Sequence, residues 1–152
     1  MKYTKEEKFM LAALKQAGFA REIDEVPVGC VVVKDDKIIA RAFNKRETSQ
    51  QVASHAEMNA IAKACKKLKS WRLEGCDIYI TLEPCMMCVG AIIQSRIKHI
   101  YYGADDYKGG ALGSSINALE AKNINHHPEV TKGILKEECS SILTNYFKSK
   151  RK

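Results

Sequence analysis

Apolar residues recur at three- and four-residue spacing near the start of the chain, where Phe9, Met10, Ala13, Leu14 and Ala17 form one stripe. Thr4-x-x-Glu7 just ahead of the stripe is a capping box, and Gly18 predicts the end of this first helix. Two β-rich runs, residues 28–33 and 38–43, flank Lys34-Asp35-Asp36-Lys37 and predict a hairpin. The helical period returns over about residues 56–68, where Ala60, Ile61, Ala64, Cys65 and Leu68 line one face. Residues 77–82 predict a third strand. Pro84 suits the first position of a helix reaching about residue 96, apolar nearly all round and so a central element. A fourth strand is predicted over residues 99–102 and a fifth over 130–135. The last helix carries Leu135, Cys139, Ile142, Leu143, Tyr146 and Phe147 on one face. Strands alternating with helices predict an α/β fold in layers, helices covering a sheet.

No repeat, low-complexity tract or linker interrupts the 152 residues, so residues 1–152 are expected to form a single domain. A chain of this length buries about 68–70% of its unfolded surface and needs no metal or disulfide merely to fold. A metal site must therefore be justified by chemistry. Lysine and arginine number 25 against 18 acidic residues, a net charge of +7, which favours a polyanionic partner such as nucleic acid. No apolar run approaches the ~18–20 residues of a membrane span, so no membrane partner is expected. The opening residues, mixed in charge, do not read as a signal peptide. Six cysteines without a secretory signal point to reduced thiols and a cytoplasmic protein. Cys30, Cys65, Cys76 and Cys139 sit in apolar segments as small core residues.

The chemistry concentrates in His55-Ala56-Glu57 and Pro84-Cys85-Met86-Met87-Cys88. Cysteines at i and i+3 on a helix share a face, and a helix start favours thiolate over thiol. His55 opens another helix, so two helix N-termini could supply one imidazole and two thiolates. Three N and S ligands suit zinc and leave a fourth position for water. Zinc lowers the pKa of that water to about 7, and Glu57 beside it would carry protons. Taken alone, the C-x-x-C spacing also fits structural zinc, a redox pair or two core cysteines, with Cys30, Cys65, Cys76 or Cys139 as a fourth ligand. Ser54-x-x-Glu57 also fits a capping box. Together the two strings form H-x-E…P-C-x-x-C, the signature of zinc nucleobase deaminases, and the roles come with that signature.

Beyond these strings the sequence resembles the bacterial tRNA-specific adenosine deaminases over nearly its whole length. The resemblance is carried by Val26-Pro27-Val28-Gly29, Ala42-Phe43-Asn44, Ser70 to Cys76 and Thr81-Leu82-Glu83-Pro84. It continues through Ser95-Arg96-Ile97, Gly103-Ala104-Asp105-Asp106, Asn125-His126, Gly133-Ile134-Leu135, Glu138-Cys139 and Tyr146-Phe147-Lys148. It implies the three-layer α/β/α cytidine deaminase-like fold, a central five-stranded mixed sheet flanked by helices, in a homodimer. It also implies hydrolytic deamination of adenosine to inosine at the wobble position of a tRNA anticodon, chiefly an arginine tRNA, by zinc-bound hydroxide and a glutamate proton shuttle. By matching positions, His55, Cys85 and Cys88 would hold one Zn2+ per subunit and Glu57 would be catalytic. Asn44 would hydrogen-bond the target nucleoside, while Val28 and Leu82 would wall the base pocket. Asp106, Lys108, Asn125, Phe147 and Arg151 would hold the anticodon stem-loop.

Each carried-over role has a local alternative. Asn44 also fits a turn, Phe147 also fits the apolar face of the last helix, and Lys148, Lys150, Arg151 and Lys152 also fit a solvated tail. His99, His126 and His127 read as structural or surface residues. Three positions depart from the family pattern: Val52 where proline is common, Ser54 where alanine is usual, and Tyr107 in the Asp106 loop where a smaller residue is expected. The rival activity is deamination of a free nucleobase or nucleoside, guanine or cytosine, by the same chemistry. A non-enzymatic rival is a basic RNA-binding module with structural zinc.

Overall fold

A computed structural model of the chain describes residues 2–151; Met1 and Lys152, the last residue of the basic tail, lie outside it. Helix α1 (Lys5–Glu22) begins at a complete capping box, Thr4 Oγ1 accepting from Glu7 N–H and the Glu7 carboxylate from Thr4 N–H. Gly18 does not end it. Glycine costs about 1 kcal/mol within a helix, but Ala17 and Ala20 on either side are fully buried, and that packing carries the helix one turn further.

Strands β1 (Gly29–Lys34) and β2 (Lys37–Phe43) form the predicted hairpin. Asp35 and Asp36 both take positive φ, as a two-residue turn requires for the twist of its strands. A short helix α2 (Arg46–Ser49), unforeseen in the sequence, leads to α3 (Ala56–Leu68), which has the expected bounds. Strand β3 (Cys76–Leu82) is followed by α4 (Met86–Gln94), β4 (His99–Ala104), β5 (Glu129–Lys132) and α5 (Lys136–Lys150). The fifth strand stops earlier than predicted because Gly133 and Leu135 take positive φ and turn the chain into α5. Pro84 stands one place before the N-cap, Cys85, whose extended backbone puts the proline outside α4 rather than at its first position.

The five strands form one mixed sheet in the order β2-β1-β3-β4-β5, with β1 antiparallel to both neighbours and β3, β4 and β5 parallel. Alternation along β1 sorts its side chains to two cores. Cys30 and Val32 pack with Ala60, Ala64 and Ile92 under α3 and α4, whereas Val31 and Val33 pack with Met10, Ala13 and Cys139 under α1 and α5. Helices thus cover both faces, which makes the three layers expected from the sequence. Gly29 is required where β1 meets α1: a Cβ there would lie 1.9 Å from the Ala13 carbonyl oxygen.

On α5 the apolar face is narrower than its sequence suggested. Cys139 and Tyr146 are buried, but Phe147 is 44% exposed and meets Tyr146 edge-on. All six cysteines are free thiols; Cys30, Cys76 and Cys139 are fully buried and Cys65 half-buried. His99 lies between Thr131 and Glu129, and His126 bonds the Ile97 carbonyl. Among the described residues, no helix is long and apolar enough to cross a membrane.

Candidate active site

The strand pairing decides where the site lies. Gly29 pairs with Phe43 and Leu82 with Ala104, so the start of β1 and the ends of β2, β3 and β4 all reach one edge of the sheet. Helices α3 and α4 begin at that edge, with His55 and Cys85 as their N-caps. Neither makes a side-chain cap hydrogen bond, so the imidazole and the thiol are left for each other. The capping box read at Ser54-x-x-Glu57 does not form, because Ser54 lies outside the N-cap position and its hydroxyl pairs with the Asn59 amide.

The His55 Nδ1 atom lies 3.6 Å from both Cys85 Sγ and Cys88 Sγ. The three ligand atoms are all within 4.8 Å of one another, an arrangement able to hold a metal ion. Cys88 is fully buried and Cys85 half-exposed, so the cluster opens on one side only. A hydrogen bond from Cys88 and a second from His55 pull the Cys85 thiol down to about 3. The same hydrogen bond between the two cysteine side chains, with burial, pushes Cys88 up. His55 is raised by its bond to Cys85.

Glu57 follows in the first turn of α3, 4% exposed. Burial pushes its carboxyl up to about 6, and its own N–H and His55 offset only part of that. A cavity of about 180 Å³ opens over Glu57, His55 and Cys85. Val26, Val28, Asn44 and Arg46 line it from the β1–β2 side, Leu82, Glu83 and Asp106 from the β3–β4 side.

Val28, Asn44, Leu82 and Asp106 thus come together with His55, Glu57 and Cys85, whereas Lys108, Asn125, Phe147 and Arg151 lie on the surface outside the cavity. Asn44 holds its own turn as well: its amide donates to the Val26 carbonyl at 3.2 Å and its oxygen accepts from Arg46 N–H at 3.1 Å. Tyr107 is 77% exposed, so its bulk meets solvent rather than the cavity.

Sequence reasoning gave no role to Val26, Arg46 and Glu83 in the lining, nor to Glu25 behind it. Glu25 is 1% exposed and accepts from the N–H groups of Glu47 and Thr48, which fixes α2 and hence Arg46 at the cavity. Val26 and Glu83 stood inside resemblance strings; Arg46 and Glu25 left no signal, since their partners are distant in sequence.

Residues 4–151 match the MafB19-like deaminase family. The chain is 48% identical over 149 residues to a tRNA-specific adenosine deaminase of Bacillus subtilis (strain 168), covering 98% of this chain and 92% of that one. A tRNA-specific adenosine deaminase of Agrobacterium fabrum (strain C58 / ATCC 33970) is 44% identical, covering 94% of each. A solved structure from a study of A-to-I editing by tRNA:A34 deaminases at the wobble position of transfer RNA superposes with a TM-score of 0.87. It is 44% identical, covering 90% of this chain and 99% of that one. A guanine deaminase from Bacillus subtilis is more distant, at a TM-score of 0.64 and 31% identity over 95% of this chain and 92% of that one. With fold, site and relatives in agreement over nearly the full length, the chain belongs to the MafB19-like deaminase family and, within it, to the tRNA-specific adenosine deaminases.

Proposed function

We propose that this protein hydrolyses adenosine to inosine at the wobble position of a tRNA anticodon, with an arginine tRNA as the principal substrate. Water adds at the amino-bearing purine carbon, the exocyclic nitrogen leaves as ammonia, and the base keeps the oxygen. The observation that carries this reading is a buried carboxylate, Glu57, at the floor of a small cavity beside three metal-ligating atoms.

His55, Cys85 and Cys88 would hold one Zn2+ per subunit. For zinc bonded at about 2.3 Å to sulfur and 2.0–2.1 Å to nitrogen, tetrahedral ligands stand roughly 3.5 Å apart, and the 3.6 Å separations of this cluster fit that geometry. When bound, zinc supplies the Lewis acidity that makes water nucleophilic at neutral pH. Glu57 takes one proton from water and delivers it to the purine ring nitrogen, which keeps it. It then takes the second proton, from the hydroxyl added at the purine carbon, and delivers it to the amino group, which departs as ammonia as the C–N bond breaks. Val28 and Leu82 clasp the base faces, and Asn44, held by its bonds to Val26 and Arg46, presents its amide to the nucleoside. A cavity of about 180 Å³ is small beside the roughly 300–1,000 Å³ of clefts that enclose drug-sized ligands. It suits a single extruded base with the rest of the nucleic acid outside, as an anticodon loop presents one.

Asp106 at the cavity edge would contact the target ribose. Lys108, Asn125, Phe147 and Arg151 would hold the splayed loop through phosphates, base edges and stacking. The charge of +7 supports an RNA partner. The working protein would be a cytoplasmic homodimer, each subunit one domain over residues 1–152.

The test incubates purified protein with an arginine-tRNA anticodon stem-loop and, separately, with free adenosine, guanine and cytosine. Inosine in the stem-loop alone, absent with Glu57→Gln, is the expected result. Turnover of a free base alone would overturn the substrate, and deamination undiminished in Glu57→Gln would overturn the mechanism.

A further inference from the structure

The connection from β4 to β5 carries no α-helix, only a short 3-10 turn at Ala118–Glu120 and an isolated bridge from Leu112 to Asn117. Asp106 nevertheless stands at a defined place on the cavity wall. What fixes it is one buried carboxylate just past the end of β3. Glu83, 2% exposed, accepts four hydrogen bonds from this loop. Its Oε1 takes the Asp106 N–H at 3.0 Å and the Ser114 hydroxyl; its Oε2 takes the N–H groups of Leu112 at 2.9 Å and Ser114 at 3.2 Å.

The loop closes tightly around that carboxylate. A Cβ on Gly110 would lie 2.3 Å from Glu83 Cδ and 2.6 Å from the Asp106 carbonyl oxygen, so only glycine fits there. The Asp106 carbonyl accepts from Gly110 N–H, and its side-chain Oδ1 accepts from Lys108 and Gly109. Glu83 is itself anchored, its N–H donating to the Ala104 carbonyl at 2.8 Å. Position is therefore transmitted from the sheet, through Glu83, to Asp106.

We propose that Glu83 is a positioning residue for substrate recognition: its carboxylate sets the Asp106-bearing loop as the wall against which an RNA-presented nucleoside binds. The inference rests on the proposed function and deepens it. Glu83 takes no part in proton transfer; it acts through the loop.

Glutamine at this position keeps the shape but has one acceptor oxygen, so two of the four donors lose their partner. Glu83→Gln, Gly110→Ala and Ser114→Ala are compared with wild type, Ser114→Ala being the mild variant that removes a single hydroxyl donor. Zinc content, kcat and KM on the anticodon stem-loop, and amide hydrogen exchange over residues 106–114 are measured. Glu83→Gln and Gly110→Ala are expected to retain zinc, to raise KM on the order of tenfold with kcat within about threefold, and to speed exchange by at least about tenfold. Ser114→Ala should move KM and exchange the same way by less. Unchanged exchange in all three variants would show that Glu83 does not hold the loop. Faster exchange with unchanged KM would show that the loop does not recognise substrate; either overturns the proposal. A wild-type protein that turned over only free bases would defeat the substrate reading, whereas the exchange measurement needs no substrate and still decides the role of Glu83.

Discussion

Glu57 and Glu83 are both buried acids lining one cavity, and burial acts on both in the same direction, yet their carboxyls are shifted in opposite directions. At Glu57 burial prevails and the carboxyl is pushed up to about 6. At Glu83 burial also pushes upward, but the Ser114 hydroxyl and the N–H groups of Asp106, Leu112 and Ser114 outweigh it, and the carboxyl is held below its ordinary value. At Glu83 the donors tip the balance against burial. An acid short of donors can exchange a proton with substrate; an acid saturated with donors is a fixed anion that organises its surroundings. The floor of the cavity is built for reactivity and its edge for position.

The sharpest break of that comparison is at the floor. Removing metal with a chelator is expected to abolish deamination, with activity returning on addition of zinc and circular dichroism unchanged throughout. The fold persists because the two main cores close without a metal cross-link. Loss of helical signal on chelation would instead mark the metal as structural. Glu57→Gln is next in size. A general acid–base group contributes roughly 10²–10⁴-fold, so kcat should fall by about that factor while stem-loop affinity stays near wild type.

The floor was legible because its parts are local. His55 and Glu57 are two residues apart, Cys85 and Cys88 three, and each pair sits near a helix start, the first marked by three-four periodicity and the second by Pro84. The sheet was legible for the same reason: β-rich runs, with polar Lys34-Asp35-Asp36-Lys37 between the first two, mark its strands within a few positions. The edge was not. Glu25 reaches 22 and 23 residues along the chain to Glu47 and Thr48, and Glu83 reaches 23 to 31 residues to Asp106, Leu112 and Ser114. Their partners are mostly backbone N–H groups, which every residue but proline offers, so no residue type marks them. Ends of helices misled where packing overrode propensity, as at Gly18, or where the cap lay one residue away, as at Pro84 and Ser54.

Glu25 gives an effect of middle size and tests whether the opposite edge follows the logic of Glu83. Burial raises its carboxyl, but bonds from Thr48 and Glu47 prevail and hold it below the ordinary 4.5. A carboxyl depressed in the folded state stabilises the protein above its unfolded pKa and loses that contribution as pH falls through the folded value. Wild type should therefore lose stability as pH drops below about 4.5. Glu25→Gln should be less stable at neutral pH and lose less on acidification, so that urea midpoints of the two converge in acid. Parallel curves would mean that the bonds to α2 do not depend on the charge.

The smallest effect concerns the tail, where neighbouring cations have different duties. Lys150 is already engaged: its Nζ lies 2.8 and 2.7 Å from the two carboxylate oxygens of Asp24, which Tyr146 also contacts. Arg151 is exposed at the end of α5, and among the described residues no carboxylate pairs with it. A cation free to meet a phosphate releases counterions on binding; one already neutralised by a carboxylate contributes little to that release. Arg151→Ala should weaken stem-loop binding a few-fold and lower the slope of log affinity against log salt by about 0.7–0.9. Lys150→Ala should leave that slope unchanged and instead loosen the link between α5 and Asp24, one residue from Glu25. Truncating the whole tail would mix the two effects, so the single substitutions are the cleaner probe. Slopes unchanged from wild type in both variants would place the phosphate contacts elsewhere, on Lys108 and the loop that Glu83 holds.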